Sequence, residues 1–230
     1  MRVTHFAVGL ILALWATASA ALEVEEQRSY PGSGPTTLRI LSTADLDVFE
    51  PFLLAVLASY PEIGIDYTAS SSAEVFRAVA GGEAFDVIIS SAMDLQFRLA
   101  NDGFAQSYVS DATEALPVWA KWRNLLFAFT SEPAVAVVST RAFAGLPMPR
   151  TRQDLISVLR ENPERFAGTI GTYDVRSSGL GYLLATQEAR NSDAYWRLSE
   201  VMGRLGPQLY CCSAQMIDDV SSGRLALAYN

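Results

Sequence analysis

The chain is poor in the residues on which most enzyme chemistry depends. Its 230 residues include one histidine, His5, and two cysteines, Cys211 and Cys212. His5 falls within residues 1–20, which read as a cleavable leader, so the exported chain would hold no imidazole. On that reading Ser-His-Asp triads, Cys-His pairs, His-ligated zinc and HExxH sites are all excluded. Two cysteines cannot build a disulfide-dense scaffold. They are adjacent, not spaced as CxxC, and a bond between neighbours strains the backbone. One is therefore expected to be buried and the other packed near a cleft; export makes their oxidation possible without requiring it. No basic stretch is present, and 17 basic against 25 acidic residues give a net charge of −8. Nucleic acid is a poor partner for such a chain. Beyond the leader no apolar run is long enough to span a membrane.

Half of the residues are hydrophobic and 18% are charged, which excludes disorder and allows a full core. The length fits one or two domains. At the N-terminus Arg2 supplies a positive charge, residues 6–16 an apolar run of leader length, and Ala18-Ser19-Ala20 a small-residue cleavage site. Cleavage is expected after Ala20. No cysteine near the cut would carry a lipid, so the expectation is a free periplasmic chain.

Apolar periodicity then alternates between strand and helix. Residues 21–37 are polar, with Pro31-Gly32-Ser33-Gly34-Pro35, and read as a flexible lead-in. Residues 38–42 are a short buried strand. Phe49, Phe52, Leu53, Val56, Leu57 and Tyr60 mark a helix over 46–60, with Asp47 and Glu50 spaced to cap it. Strands at 63–67 and 85–89 flank a helix around Val75, Phe76 and Val79. Leu95 and Leu99 mark another helix, stopped by Asn101-Asp102-Gly103. This is βαβαβ, a parallel sheet covered by helices. After an irregular 104–122, strands are expected at 122–129 and 134–139, helices at 151–160, 180–190, 193–205 and 216–220, and strands near 166–172, 208–212 and 225–229.

The polar residues cluster where these strands end. The ends carry Thr43-Ala44-Asp45, Ser70-Ser71-Ser72, Ser90-Ser91-Ala92-Met93-Asp94, Tyr173-Asp174 with Arg176-Ser177-Ser178-Gly179, Ser213, and Tyr229-Asn230. In open α/β sheets these ends form the binding crevice. Each cluster also precedes a helix, whose free N–H groups attract anions. Plain N-capping is the competing reading for each cluster. Asp45 and Asp94 either meet a cation or amine, or cap helices in water. Tyr173, Tyr210 and Tyr229 either offer phenolates to a hard cation such as Fe(III) or fill core and cleft wall. Arg176 either pairs with a ligand carboxylate or phosphate, or with a surface acid. Trp119 and Trp122 either line a cleft or fill core. Nothing matches GxGxxG or the Walker pattern.

A leader followed by TADLDVFEPFLLAVLASYPEIGIDY, SSSAEVF and FDVIISSAMDLQFRLANDGF resembles the start of bacterial periplasmic solute-binding proteins of ABC importers. The type it resembles is the ferric-ion and 2-aminoethylphosphonate group of the type II periplasmic binding protein fold. TIGTYDVRSSGLGYLLATQ resembles the ligand loop of that fold's second lobe. The resemblance implies an α/β architecture of two lobes, each a sheet flanked by helices. With it the chain divides into a leader at 1–20, a lead-in at 21–37, lobe 1 at 38–131 and lobe 2 at 132–230. The second lobe is read as incomplete and the C-terminal crossover back to the first lobe as missing. By position Thr43, Ala44, Ser71, Ser91, Ala92, Arg176, Ser177, Ser178 and Ser213 would face the solute, joined by Asp45, Ser72 and Tyr173 from the same loops. The implied function is capture of a small anionic or metal-bound solute, by a monomer without catalytic residues, resident metal or cofactor. Delivery would be to a membrane permease or, as the alternative, to a sensor kinase. A non-functional remnant is the other reading of the short C-terminus.

Overall fold

The computed structural model describes residues 22–131 and 133–229; the expected leader lies outside the described residues. The first lobe is built on strands β1 (Glu26–Tyr30), β2 (Thr36–Ser42), β3 (Ile63–Ala69) and β4 (Val87–Ile89), with helices α1 (Leu46–Ser59), α2 (Ser72–Ala80) and α3 (Met93–Asn101). A connecting stretch holds α4 (Asp111–Glu114), a 3-10 turn at Val118–Ala120, and a hairpin of β5 (Lys121–Trp122) and β6 (Leu126–Phe127). The second lobe has β7 (Ala136–Val138), α5 (Arg152–Glu161), α6 (Pro163–Phe166), β8 (Ile170–Tyr173), α7 (Gly179–Asn191), α8 (Asp193–Arg204), β9 (Gln208–Tyr210), α9 (Ser213–Ser222) and β10 (Leu227–Tyr229).

Each lobe centres on a four-stranded sheet, ordered β1-β3-β2-β4 and β7-β10-β8-β9. In the first, β2 lies between β3 and β4 and runs parallel to both, while β1 is antiparallel. The register sets Ser42 beside Ala69 on one side and Ile89 on the other, so the three parallel strands end in one row. In the second sheet Thr172 pairs with Tyr229 and Tyr173 with Tyr210, and the parallel ends again align. A residue-by-residue alternation of faces divides the core. Ile40 packs with Leu46, Leu53, Ile65 and Tyr67 beneath α1, and its neighbour Leu41 packs with Val75, Val79 and Leu99 beneath α2 and α3. Leu227 and Tyr229 join the α5–α8 core, and Ala228 between them joins Met216 and Val220 of α9. Among the described residues no helix is long and apolar enough to cross a membrane.

Several local expectations are corrected. Residues 26–30 are not part of a flexible lead-in but form β1, paired from Glu26 against Ala69 to Tyr30 against Ile65. This strand, EQRSY, is exposed along most of its length; backbone pairing rather than apolar burial holds it, so no hydrophobic alternation announces it. Asp47 and Glu50 do not form a capping pair at α1: Asp47 Oδ1 accepts only the adjacent Val48 N–H, at 2.8 Å. The Leu46 N–H instead donates to Glu26 Oε2 of β1 at 2.8 Å, and Glu50 accepts from Arg28 and from the Tyr30 hydroxyl, each at 2.7 Å. The stretch 122–129 turns back on itself because Arg123 and Asn124 sit at φ 51° and 54°, in the left-handed region. Trp119 is 74% exposed and fills no core, while Trp122 meets the Phe97 ring edge-on at 5.1 Å.

Candidate functional site

The row of strand ends in the first lobe is tied together by its own hydroxyls. Thr43 N donates to Ile89 O, and Thr43 Oγ1 accepts the Ser91 N–H at 3.4 Å. Ala44 N donates to Ser42 Oγ at 3.0 Å, and Ala44 O accepts from the Tyr67 hydroxyl at 2.6 Å. Ala92 is fully buried and its N–H donates to Ser90 Oγ. Ser71 caps α2, accepting the Glu74 N–H at 3.3 Å. These contacts make the loops after β2, β3 and β4 a rigid platform. Asp45 stands at the N-cap of α1 without a side-chain cap bond. Burial, with Asp47 and Glu26 nearby, holds its carboxyl above the usual aspartate range. Asp94 Oδ1 on α3 is buried and has no hydrogen-bond partner.

In the second lobe the loop from β8 to α7 winds around Asp174. Asp174 O accepts the N–H groups of Ser177 and Ser178, at 3.0 Å and 2.8 Å. The Arg176 guanidinium grips the Asp174 carboxylate through Nε and Nη2, at 2.8 Å and 2.7 Å. That bidentate grip, with the Arg176 backbone N–H, pulls the Asp174 pKa down to about 2. Ser178 is buried and caps α7 by accepting the Gly181 N–H at 3.1 Å. Of the two readings of Arg176, the surface ion pair within its own loop is the one observed.

The two lobes meet at the start of α7. Ser72, the first residue of α2 and buried, turns its hydroxyl across the gap. Ser72 Oγ accepts the Gly179 N–H at 2.7 Å and the Leu180 N–H at 3.3 Å. Gly179 has no side chain to spare here: a Cβ on it would lie 2.7 Å from Leu95 Cδ1, 2.9 Å from Ser72 Oγ and 3.2 Å from Ala92 Cβ. The helix starts of α2 and α3 from one lobe and α7 from the other thus converge on one point. Two N–H groups at a helix N-terminus, with their partial positive charge, are there satisfied by a neutral hydroxyl of the other lobe. A second seam contact lies further along, where Cys212 Sγ approaches Glu25 Oε1 to 3.4 Å. Burial and the charges of Asp45, Glu23 and Glu26 hold the Glu25 carboxyl above its ordinary range.

The twelve sequence-derived residues do not all come together. Ser72, Ala92 and, through its neighbour Gly179, Ser178 reach the contact between the lobes. Thr43, Ala44, Asp45, Ser71 and Ser91 form or border the platform, Arg176 and Ser177 the opposing loop, and Ser213 opens α9 beside Cys212. Tyr173 lies apart: it is buried at the end of β8 and lines a cavity of about 150 Å³ between α7 and α8, inside the second lobe. Tyr210 and Tyr229 are likewise buried. The Tyr210 hydroxyl donates to Asp219 Oδ2 and that of Tyr229 to Glu188 Oε2, both at 2.6 Å, and Arg152 Nε donates to Tyr229 Oη. Burial and these acceptors push both phenols up to about 12. The core reading of the tyrosines is therefore the observed one. The expected burial of one cysteine is corrected: neither is buried, and Cys211 and Cys212 are joined by a disulfide. They sit at the turn between β9 and α9, where the chain leaves the sheet and neither residue is held in a strand or helix ladder. Glu25 carries a contact that residue type and spacing did not single out.

With this geometry the chain was compared with known proteins. No protein-family model matches it, and no curated protein sequence does so. Among solved structures, a substrate-binding protein of an ABC transporter from Agrobacterium tumefaciens superposes with a TM-score of 0.85 at 31% identity, over 89% of this chain and 63% of its own. This chain has the fold of the periplasmic solute-binding proteins. Iron-bound HitA from Pseudomonas aeruginosa matches with a TM-score of 0.63 at 15% identity, over 84% of this chain and 62% of its own. The apo ferric ion-binding protein A from Pasteurella haemolytica matches at 0.57 and 16%, over 84% and 61%. The chain thus spans less than two thirds of the length of the solute-binding proteins it matches. The first and last of these are named as binding proteins. The resemblance to the ferric-ion group of that fold, read from the loop segments, is borne out at the level of fold.

Proposed function

We propose that this chain is the solute-capturing part of an extracytoplasmic receptor, which holds a small anionic or metal-bound solute between its lobes and delivers it to the permease of an ABC importer. The observation that carries the reading is the bond from the Gly179 and Leu180 N–H groups to Ser72 Oγ across the lobes. An oxyanion offered between the lobes meets two amide donors at a helix N-terminus, a stronger acceptor for them than a neutral hydroxyl. The solute replaces Ser72 there and bridges the two lobes that Ser72 joins directly in its absence. A metal enters as a complex, through the anionic groups of its other ligands, since Tyr210 and Tyr229 keep their hydroxyls on Asp219 and Glu188.

On this reading Ser72, Ala92, Ser178 and Gly179 are the first residues at the solute. Thr43, Ala44, Asp45, Ser71 and Ser91 shape one wall; Arg176, Ser177 and Ser213 shape the other, and Tyr173 stiffens the loop from behind. The leader read at residues 1–20 directs the chain to the periplasm, where the matched binding proteins work. No residue is assigned a catalytic role.

The test is a thermal-shift panel of phosphate, a phosphonate, a sugar phosphate, ferric citrate and a polyamine. An anionic member should raise Tm by several degrees, since saturation at a hundred times Kd adds about 2.7 kcal/mol. A flat response across the panel, or a response confined to the polyamine, contradicts the reading.

A further inference from the structure

A second cluster of donors lies on the seam, apart from the helix start at Gly179. The Sγ atoms of Cys211 and Cys212 and a carboxylate oxygen of Glu25 all lie within 4.8 Å of one another. The cysteines come from the β9–α9 turn of the second lobe; Glu25 comes from the first, where its N–H is anchored on Ala69 O. Asp45, Glu23 and Glu26 surround Glu25 with negative charge, and among the described residues no arginine or lysine forms a salt bridge with it. Two sulfur donors and one carboxylate, in an acidic setting open to solvent at Glu25, are the ligand set of a soft-to-borderline cation.

We infer that the reduced chain binds one thiophilic divalent cation, of the zinc and cadmium kind, through Cys211, Cys212 and Glu25, and that this ion ties the two lobes together. In the structure the sulfurs are bonded to each other, so the site is gated by reduction. A dithiol reductant breaks the Cys211–Cys212 bond, passes two electrons and two protons to the sulfurs, and leaves as its own disulfide. The cation then displaces both thiol protons to solvent and takes two thiolates and one carboxylate, with water completing its shell. A disulfide oxidant reverses this: it takes two electrons from the thiolates and two protons from solvent, leaves as two thiols, and the ion is expelled as the Cys211–Cys212 bond re-forms. The site is separate from the amides proposed to hold the solute, and it needs no solute.

The probe is Cd²⁺, followed by its thiolate charge-transfer absorption, with Zn²⁺ as the silent competitor. Protein reduced with a phosphine and desalted without oxygen should titrate with one equivalent of Cd²⁺, and the oxidised protein should give no band. Zn²⁺ should remove the band from the reduced protein. Glu25→Gln should keep the fold and the thiols but weaken binding about tenfold or more, since even loss of an outer partner of a metal ligand costs that much. Cys212→Ser should abolish the band. A reduced protein without the band overturns the inference. So does Glu25→Gln titrating as the parent does, because the thiols would then act without the other lobe.

Discussion

Ser72 Oγ accepts the Gly179 N–H at 2.7 Å across a sequence separation of 107 residues. One hydroxyl from the start of α2 thereby closes the start of α7, and the two lobes touch there through a capping bond set against Leu95 and Ala92. Such a contact is cheap to exchange. A neutral hydrogen bond contributes about 0.5–1.5 kcal/mol net, so an incoming anion needs only a modest advantage to displace it.

Ser72→Ala should therefore open the empty protein without unfolding it. The expected result is a larger radius of gyration in small-angle scattering, with a loss in thermal stability of about 0.5–1.5 kcal/mol. An unchanged radius would mean that the lobes are held by other contacts.

Gly179→Ala should act more severely on closure than on folding. Its Cβ would enter the space of Leu95 and Ala92 in the other lobe. Overpacking of this kind costs about 1–3 kcal/mol, which should weaken solute binding roughly tenfold or more. Calorimetric titration measures it, and far-ultraviolet circular dichroism should be that of the parent.

Much of this arrangement could be read from the sequence, and the exceptions share a cause. The β/α rhythm and the polar strand ends were legible because they depend on neighbours within one or two turns of chain. The strand β1 was not, because EQRSY is held by the backbone of β3 and carries no apolar pattern. Nor was the cap of α1, since its acceptor, Glu26, lies twenty residues upstream and only the pairing of β1 brings it there. The burial of one cysteine was misjudged because the strain of a bond between neighbours was weighed without the open β9–α9 turn that carries both. Tyr173, Tyr210 and Tyr229 were placed correctly at strand ends, yet which way a ring turns depends on the acceptors Asp219 and Glu188, on helices that sequence spacing does not bring together.

Glu26→Ala should remove the α1 cap. Loss of a helix cap costs about 0.5–2 kcal/mol, so a fall in melting temperature is expected, with the Ser72–Gly179 contact and solute affinity retained. A melting curve identical to the parent's would place the entry of α1 under other control.

Tyr229→Phe should destabilise the second lobe by about 1–3 kcal/mol, the range for a buried group left unsatisfied. It removes the hydroxyl between Arg152 and Glu188, two groups that also form a salt bridge. The pH dependence has a definite sign. The folded phenols of Tyr210 and Tyr229 lie at about 12, above the ordinary 10. Their contribution is therefore complete below pH 10 and lost as pH rises through 12. Alkaline unfolding should begin in the second lobe, and its midpoint should change in Tyr229→Phe.

Acid acts through different groups with the opposite sign. Asp174 is held at about 2, below its ordinary 3.8, by Arg176, and Asp219 is lowered by Arg224 and Tyr210. Their contributions are present above pH 3.8 and fade as pH falls through the folded values. Arg176→Ala should leave stability at neutral pH nearly unchanged, because solvent screens an exposed ion pair, while shifting the Asp174 titration upward. Carbon-detected carboxyl titration reads that shift.

The most direct measurement is the amide spectrum of Gly179 and Leu180 during titration with the solute that raises Tm. The account predicts that both resonances move and saturate with the same dissociation constant as the thermal response, and that Gly179→Ala weakens both effects together. A solute that stabilises the chain while these two amides stay still would place its binding elsewhere and contradict the account.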